Sequence, residues 1–191
     1  MSKIVFLDTE FTGVHTDTTL ISVGMVTLEG SSLYVTLNDY DSNQINDWIR
    51  DNVLSLIDES KSVSGKEACL RISKFLERYS ENERISLVSA GKLLDITLLF
   101  QLWHSLYPET KYFNLKYLPP YLNHGAHFDL NTLFHVAGID PDIDRNEFAG
   151  LHDYKRKHHA LDDAMVVRKC FLSLVESGRM TTIFKREMFN E

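Results

Sequence analysis

Long apolar segments and cysteines are both scarce in this chain of 191 residues. No apolar run approaches the roughly 18 residues that a membrane helix needs, and residues 1–7 lack the basic-then-apolar pattern of a secretory signal. The two cysteines, Cys69 and Cys170, stand far apart without the spacing of a metal site. We therefore expect free thiols in a reducing compartment, and a cytoplasmic protein with no membrane partner.

Net positive charge is lacking as well. The formal net charge of -7 at pH 7 argues against an extended, sequence-independent grip on duplex nucleic acid. It does not exclude an enzyme that binds a short single-stranded end, because bound metal ions invert the field of an acidic site. No repeat, low-complexity tract or long linker divides the chain, so we expect one domain over residues 1–191.

The hydrophobic pattern predicts strands and helices in a mixed order. Strands are predicted over residues 3–7, 20–28, 33–37 and 85–88, and helices over residues 45–57, 67–79, 95–107, 130–137 and 158–176. The first strand is a continuous apolar run, which indicates burial on both faces. Three strands followed by helices and further strands are typical of a mixed α/β fold.

Two acidic residues follow the first predicted strand, in the sequence Asp8-Thr9-Glu10. Residues two apart in extended backbone point to the same side, so both carboxylates can face one pocket. Carboxylate oxygens are the ligands that Mg²⁺ and Mn²⁺ prefer. Because Asp-x-Glu is a common pattern, a solvated strand end is the alternative.

A second acidic group opens the last predicted helix, in the sequence His158-His159-Ala160-Leu161-Asp162-Asp163. Helical spacing places Asp163 on an apolar stripe with Val167 and Phe171, whereas Asp162 falls on a polar face. A buried carboxylate is costly unless it is paired or bound to metal, so Asp163 is the predicted functional residue. Asp162 is expected to be solvated or to interact with the helix dipole.

His158 lies at or just before the first turn of that helix, from which it can turn toward the same pocket. A histidine with a pKa near neutrality is suited to activating water. The alternative is a surface histidine of the first turn, which is the interpretation we prefer for His159.

Asp-x-Glu after the first strand and His-x-Ala-x-x-Asp at a late helix together resemble two signatures of the DEDDh exonucleases. This family includes proofreading subunits, ribonuclease T and oligoribonuclease. The similarity runs from Ile4 to about Leu174, and residues 129–134 are similar to the Asp-Thr-Leu segment of the family. Residues 47–54 are similar to a small bacterial and phage exoribonuclease-like branch. The resemblance implies an RNase H-like mixed sheet flanked by helices.

The family also requires an aspartate at the start of a helix that follows a central strand. Asp95 matches this position, after the strand predicted over residues 85–88. The preceding residues, Ser89-Ala90-Gly91-Lys92-Leu93-Leu94, lack the asparagine and phenylalanine that are usual in this motif. An ordinary helix N-cap is therefore the alternative for Asp95.

The resemblance implies two-metal hydrolysis that releases nucleoside 5'-monophosphates from a 3' end. Two Mg²⁺ or Mn²⁺ ions about 3.5–4 Å apart would be held by Asp8, Glu10, Asp95 and Asp163, with His158 as general base. Phe11 and Thr12, next to the acids, would contact the terminal base and sugar of single-stranded RNA or DNA. Core packing is the alternative for Phe11. Since many relatives are homodimers, the resemblance also allows a homodimer.

Several other functions compete with a 3'-5' exoribonuclease. RNA is favoured over DNA only by the exoribonuclease-like branch, so a single-stranded DNA exonuclease or a proofreading-type subunit is one alternative. A catalytically silent nucleic-acid-binding module is another. The dipeptide His152-Asp153 would suit an HD-type phosphohydrolase, but that all-helical fold conflicts with the predicted strands. The basic run Lys155-Arg156-Lys157 suits either a contact with the substrate backbone or a solvated loop.

Overall fold

The computed structural model describes residues 3–90, 94–107, 115–151 and 156–180 of the chain. The strands in these ranges form one mixed sheet. They are β1 (Lys3–Phe11), β2 (Leu20–Thr27), β3 (Ser32–Thr36), β4 (Ile85–Ser89) and β5 (Phe128–Asp129). Their order across the sheet is β3-β2-β1-β4-β5. β2 is antiparallel to both of its neighbours, and β4 is parallel to both of its own.

Helices connect the strands and cover both faces of the sheet. They are α1 (Asp47–Asn52), α2 (Gly65–Ser80), α3 (Leu94–His104), α4 (Leu130–Val136), α5 (Arg145–Phe148) and α6 (Ala160–Glu176). Short 3-10 helices lie at Ser42–Gln44, Leu54–Leu56, Glu59–Lys61 and Leu115–Tyr117. The helix predicted over residues 45–57 is divided into α1 and a 3-10 turn. None of the described helices is long and apolar enough to cross a membrane.

Two hydrophobic cores lie on opposite faces of the sheet, and β1 contributes to both. Val5 and Leu7 pack with residues of α2 and α3, while Ile4 and Phe6 pack with residues of α4 and α6. All four side chains are buried. The predicted burial of the first strand on both faces is therefore confirmed.

β1 continues beyond the end of its parallel neighbour β4. β4 pairs with β1 only along residues 3–6, whereas β2 pairs with β1 as far as Phe11. The predicted end of the strand before Asp8 is therefore wrong, because β2 alone keeps the backbone extended. Side chains alternate along the strand, so Asp8 and Glu10 point toward α6 while Thr9 points toward α3.

Gly24 of β2 lies opposite Asp8 in the sheet and supports the start of α6. A Cβ atom at Gly24 would be 2.2 Å from the backbone carbon and oxygen of Ala160. The absence of a side chain therefore lets the first turn of α6 lie directly on the sheet. Beside it, the Tyr34 ring of β3 packs on the His159 ring, with centroids 4.4 Å apart. These contacts fix where α6 begins relative to β1.

We expect Gly24→Ala to lower the free energy of unfolding by at least about 2 kcal/mol, because overpacking displaces α6 from the sheet. Chemical denaturation of both proteins measures the change. Gly125→Ala is the matched control, since a Cβ atom at Gly125 meets nothing within 4 Å. Equal stability of the two variants would contradict the packing described for α6.

Candidate active site

An open cavity of about 860 Å³ lies over the end of β1 that extends past β4. Its lining combines acidic side chains with apolar ones near α1, here called the apolar wall, and polar ones near α5, here called the polar wall. The lining includes Asp8, Glu10, Phe11, Val14, Asn46, Trp48, Asp95, Asn131, Arg145, Asn146, Lys157, His158 and Asp163. The structure thus brings together all five residues that the sequence proposes as catalytic.

Asp8 and Glu10 lie two residues apart on β1, and both line this cavity. Burial raises the pKa of Asp8 well above its ordinary value, and three neighbouring carboxylates raise it further. The positive charge of Arg145 lowers the pKa of Asp8 by a smaller amount. Burial, followed by the charges of Asp163 and Asp95, raises the pKa of Glu10 from 4.5 to about 8. The site therefore holds more negative charge than its own cations neutralise.

Asp95 reaches the cavity from the first turn of α3 and is 4% exposed. Its Oδ1 accepts two hydrogen bonds from Thr9, from the backbone N–H at 3.2 Å and from the hydroxyl at 2.6 Å. Because β4 ends before this point, the Asp95 carboxylate takes the place of a strand partner for that N–H. α3 is thereby tied to β1 between the other two acids.

Asp163 and His158 enter the cavity from the start of α6. One ligand atom each from Glu10, His158 and Asp163 lie within 4.8 Å of one another. The His158 backbone N–H donates to Asp163 Oδ2 at 2.8 Å. His158 has a φ of 67°, a left-handed conformation that is uncommon for residues other than glycine. This hydrogen bond helps to hold the strained residue next to the acids.

Asp162 is buried, so the alternative of a solvated Asp162 is wrong, whereas its predicted place in the first turn of α6 is confirmed. Its exposed fraction is 9%, and its Oδ2 lies 2.6 Å from Nε of Arg156. Its Oδ1 lies 3.5 Å from Nδ1 of His159, which is also buried rather than on the surface. Helical spacing misses these contacts because Arg156 and Tyr34 lie outside α6. Asp162 therefore anchors the segment that carries His158, while Asp163 faces the cavity.

The two residues predicted to contact substrate differ in position. Phe11 lines the cavity, whereas Thr12 lies outside its lining. Thr12 is 2% exposed, and its hydroxyl contacts those of Thr18 and Thr19 and the side chain of Gln44. The Thr12 hydroxyl thus closes the turn after β1, and of the two residues Phe11 is the one that lines the cavity.

Two exposed apolar side chains extend the wall beside Phe11. Val14 is 71% exposed and Trp48 is 53% exposed, and both line the cavity. The Trp48 indole lies edge-on to the His158 ring, with centroids 4.8 Å apart and planes at 72°. The apolar periodicity of residues 45–57 groups Trp48 with core residues, so the sequence carries no separate signal for its position in the site.

The polar wall comes from α4, α5 and the segment before α6. Arg145 Nη2 donates to Asn131 Oδ1 at 3.0 Å, and Asn146 and Lys157 line the same side. α5 is too short for its periodicity to predict a helix, so sequence reasoning missed all of this wall except Lys157.

Some residues named in the sequence analysis lie outside the described residues. They are Gly91, Lys92 and Leu93 of the middle motif, His152-Asp153 and Lys155.

The donor set fits a hard divalent cation. Among the described residues, Glu10, His158 and Asp163 are the acids and histidines that lie close enough to share one ion. Asp8 and Asp95 add further carboxylate oxygens, which Mg²⁺ and Mn²⁺ prefer as ligands. A bound cation would also stabilise the charged carboxylates, whose ionisation burial and mutual repulsion disfavour.

Comparison with known families decides the relationship of the chain. Residues 3–175 match the family described as 3'-5' exoribonuclease Rv2179c-like domain. The chain belongs to this family. The resemblance to the 3'-5' exonuclease family that the sequence predicts is thereby confirmed. Comparison with curated protein sequences finds no significant match.

Solved structures of nucleases share the fold. Cell-death related nuclease 4 superposes on 93% of this chain with a TM-score of 0.69 and 13% identity. A metal-free complex of E. coli exonuclease I with single-stranded DNA covers 97% of the chain, with a TM-score of 0.57 and 9% identity. The chain spans 65% of the first protein and 41% of the second. The predicted RNase H-like mixed sheet flanked by helices is confirmed.

Without divalent cations, we expect Glu10 to make the protein less stable as the pH rises from 4.5 to about 8. The folded state raises the pKa of Glu10, so its favourable contribution is complete below 4.5 and is lost as the carboxyl ionises near 8. Thermal denaturation in chelator across this range measures the effect. Added Mg²⁺ or Mn²⁺ should raise the melting temperature most at the alkaline end.

Glu10→Gln tests the assignment of this pH dependence, because glutamine cannot ionise. The variant should lose less stability than the parent over the same range, and Glu176→Gln on the exposed end of α6 should behave like the parent. An identical pH dependence in Glu10→Gln and the parent would contradict the role given to Glu10.

Proposed function

We propose that the protein is a divalent-cation-dependent 3'-5' exonuclease that releases nucleoside 5'-monophosphates from single-stranded 3' ends, with RNA favoured over DNA. The observation that carries this proposal is the convergence of four carboxylates and one histidine in a single cavity. Those residues are Asp8, Glu10, Asp95, Asp163 and His158. Membership in an exoribonuclease-like family supports the same reaction.

Each residue has a proposed role in hydrolysis. The four carboxylates would hold two Mg²⁺ or Mn²⁺ ions, which when bound stabilise charge on phosphoryl oxygens and lower the pKa of water. His158, whose ring lies beside Glu10 and Asp163, accepts a proton from the attacking water. The water oxygen bonds to phosphorus while the bond from phosphorus to the preceding 3' oxygen breaks. That oxygen takes up a proton, which leaves a strand shortened by one nucleotide.

The preference for RNA is supported by the description of the family as exoribonuclease-like. An enzyme distinguishes RNA from DNA through contacts to the 2'-hydroxyl. Asn131 and Asn146 in the polar wall carry amide groups that can donate to and accept from a hydroxyl. A single-stranded DNA exonuclease or proofreading-type subunit is the second candidate, because the structural neighbour E. coli exonuclease I was solved with single-stranded DNA.

Labelled oligonucleotides test the reaction directly. RNA and DNA strands with a 5' label are incubated with the protein in Mg²⁺, in Mn²⁺ or in chelator. We expect a ladder shortened from the 3' end, formed faster from RNA and absent in chelator. A silent binding module would instead retain the strands at full length, and that result would overturn the proposal.

Variants of the site test the proposed roles. Asp8→Ala and Asp163→Ala should each abolish shortening while the chain stays folded, because each removes a cation ligand. His158→Ala should lose most turnover and still bind Mn²⁺, since the carboxylates remain. Asp51→Ala and His135→Ala are the matched controls, because both residues are exposed and lie outside the cavity lining. Full activity of Asp163→Ala would refute the assignment.

Trp48 is the proposed stacking surface for the terminal base. Its indole is half-exposed within a cavity that also holds the acids, and Val14 and Phe11 continue the same apolar wall. An aromatic face stacks on any base, which suits an enzyme that trims ends of varied sequence. The edge contact between Trp48 and His158 would place the stacked base beside the proposed general base.

We expect Trp48→Ala to raise KM about tenfold for strands ending in any of the four bases, since stacking on one aromatic contributes about 1–3 kcal/mol. Trp48→Phe should recover most of the affinity because it keeps an aromatic face. Leu70→Ala serves as the control. Leu70 is 52% exposed, close to the exposed fraction of Trp48, and it lies outside the cavity lining. An unchanged KM in Trp48→Ala would exclude the stacking role.

A further inference from the structure

Arg145 lies in the polar wall of the cavity, and Trp48 lies in the apolar wall. The charge of Arg145 acts on the buried acids, because it lowers the pKa of Asp8. No carboxylate of the described residues lies within salt-bridge distance of it. Arg145 therefore faces an acidic site without being neutralised by any one of its members.

Hydrogen bonding holds Arg145 in place and leaves most of its donors unused. Nη2 donates to Asn131 Oδ1 at 3.0 Å, while Nε is shielded from solvent and has no acceptor. The backbone is fixed as well, since Asp144 caps α5 and the Cys170 thiol donates to the Arg145 carbonyl at 3.3 Å. A guanidinium has five N–H donors, and the bond to Asn131 uses one of them, so the terminal donors suit a ligand that supplies oxygen atoms.

A purely structural role explains these contacts poorly. An arginine that served only to neutralise the carboxylates would pair with one of them, as Arg156 pairs with Asp162 at 2.6 Å. Arg145 is instead oriented by a neutral amide, so no single carboxylate is paired with its guanidinium. Lys157 is the second cation of this wall. Its Nζ lies 3.4 Å from Oδ2 of Asp144, so its charge is partly neutralised.

We propose that Arg145 binds a phosphate oxygen of the substrate strand next to the scissile bond, and that Asn131 positions its guanidinium. This inference rests on the proposed exonuclease function. A planar guanidinium presents parallel N–H donors that match two phosphate oxygens. With a base stacked on Trp48 and cations bound by the acids, Arg145 would hold the backbone of the strand.

Kinetics of Arg145→Gln and Arg145→Lys on RNA oligonucleotides test the proposal. We expect Arg145→Gln to raise KM by about 10- to 100-fold, the effect of losing a hydrogen bond to a charged group, with a smaller change in kcat. The slope of log KM against log salt should fall by about one, as expected for the loss of one phosphate contact. Arg145→Lys should recover part of the affinity, because it keeps the charge but not the planar fork.

Arg71→Gln is the matched control, since it removes the same charge from α2, where Arg71 pairs with Glu67 outside the cavity. Asn131→Leu should give a KM between those of the parent and Arg145→Gln. Equal kinetics and salt dependence for Arg145→Gln and Arg71→Gln would overturn the proposal. A dinucleotide without terminal phosphates locates the contact. If Arg145→Gln raises KM on this substrate, Arg145 binds the scissile phosphate. If it raises KM only on longer strands, Arg145 binds the phosphate next to the scissile one.

Binding measurements separate this inference from the proposed function. Oligonucleotide affinity is measured in Ca²⁺ for the parent, Arg145→Gln and Arg71→Gln. If the parent binds strands but does not shorten them, the exonuclease proposal fails, and weaker binding by Arg145→Gln still supports the phosphate contact. If the parent shortens strands and Arg145→Gln binds them equally well, only the role of Arg145 is refuted.

Discussion

The direct packing of the first turn of α6 on Gly24 is the contact on which the rest of the site depends. Because β2 presents no side chain there, the backbone at Ala160 lies against the sheet opposite Asp8. Asp163 is then close enough to meet the acids of β1, and His158, two residues before the helix, lies in the cavity. A side chain at position 24 would move α6 away from the sheet, and the carboxylates of α6 would then lie too far from those of β1 to form one site.

Ending one strand early supplies the other half of the site. β4 ends while β1 continues, so the last residues of β1 have no strand partner on the β4 side. Asp95 of α3 takes that place by accepting hydrogen bonds from Thr9. Four carboxylates thereby meet at partial burial, which raises the pKa of Asp8 and Glu10. Packing forces together groups that repel one another, and this stored repulsion is what a divalent cation would relieve.

The walls of the cavity divide the recognition of a nucleotide between two kinds of chemistry. The apolar wall, with Trp48 and Val14, suits a base, whereas the polar wall, with Arg145 and Asn131, suits a phosphate and a sugar hydroxyl. The acids line the same cavity. One cavity thus offers surfaces for a base, for cations and for the backbone of a single strand, which supports the reaction that we propose.

Spacing along the chain was sufficient to predict four of the strands, the longer helices and the inward positions of Asp8, Glu10 and Asp163, because periodicity and strand alternation are local properties. The predictions for Asp95 and His158 depended on the family resemblance. Contacts between segments decided the remainder. Packing against other elements buried Thr12 and Asp162, and α5 was too short to leave a pattern, so Arg145 could not be recognised. Local sequence thus determined which acidic and histidine side chains are candidates for the site. Only tertiary packing decided which of them face the cavity, since burial and pairing depend on residues distant in the chain.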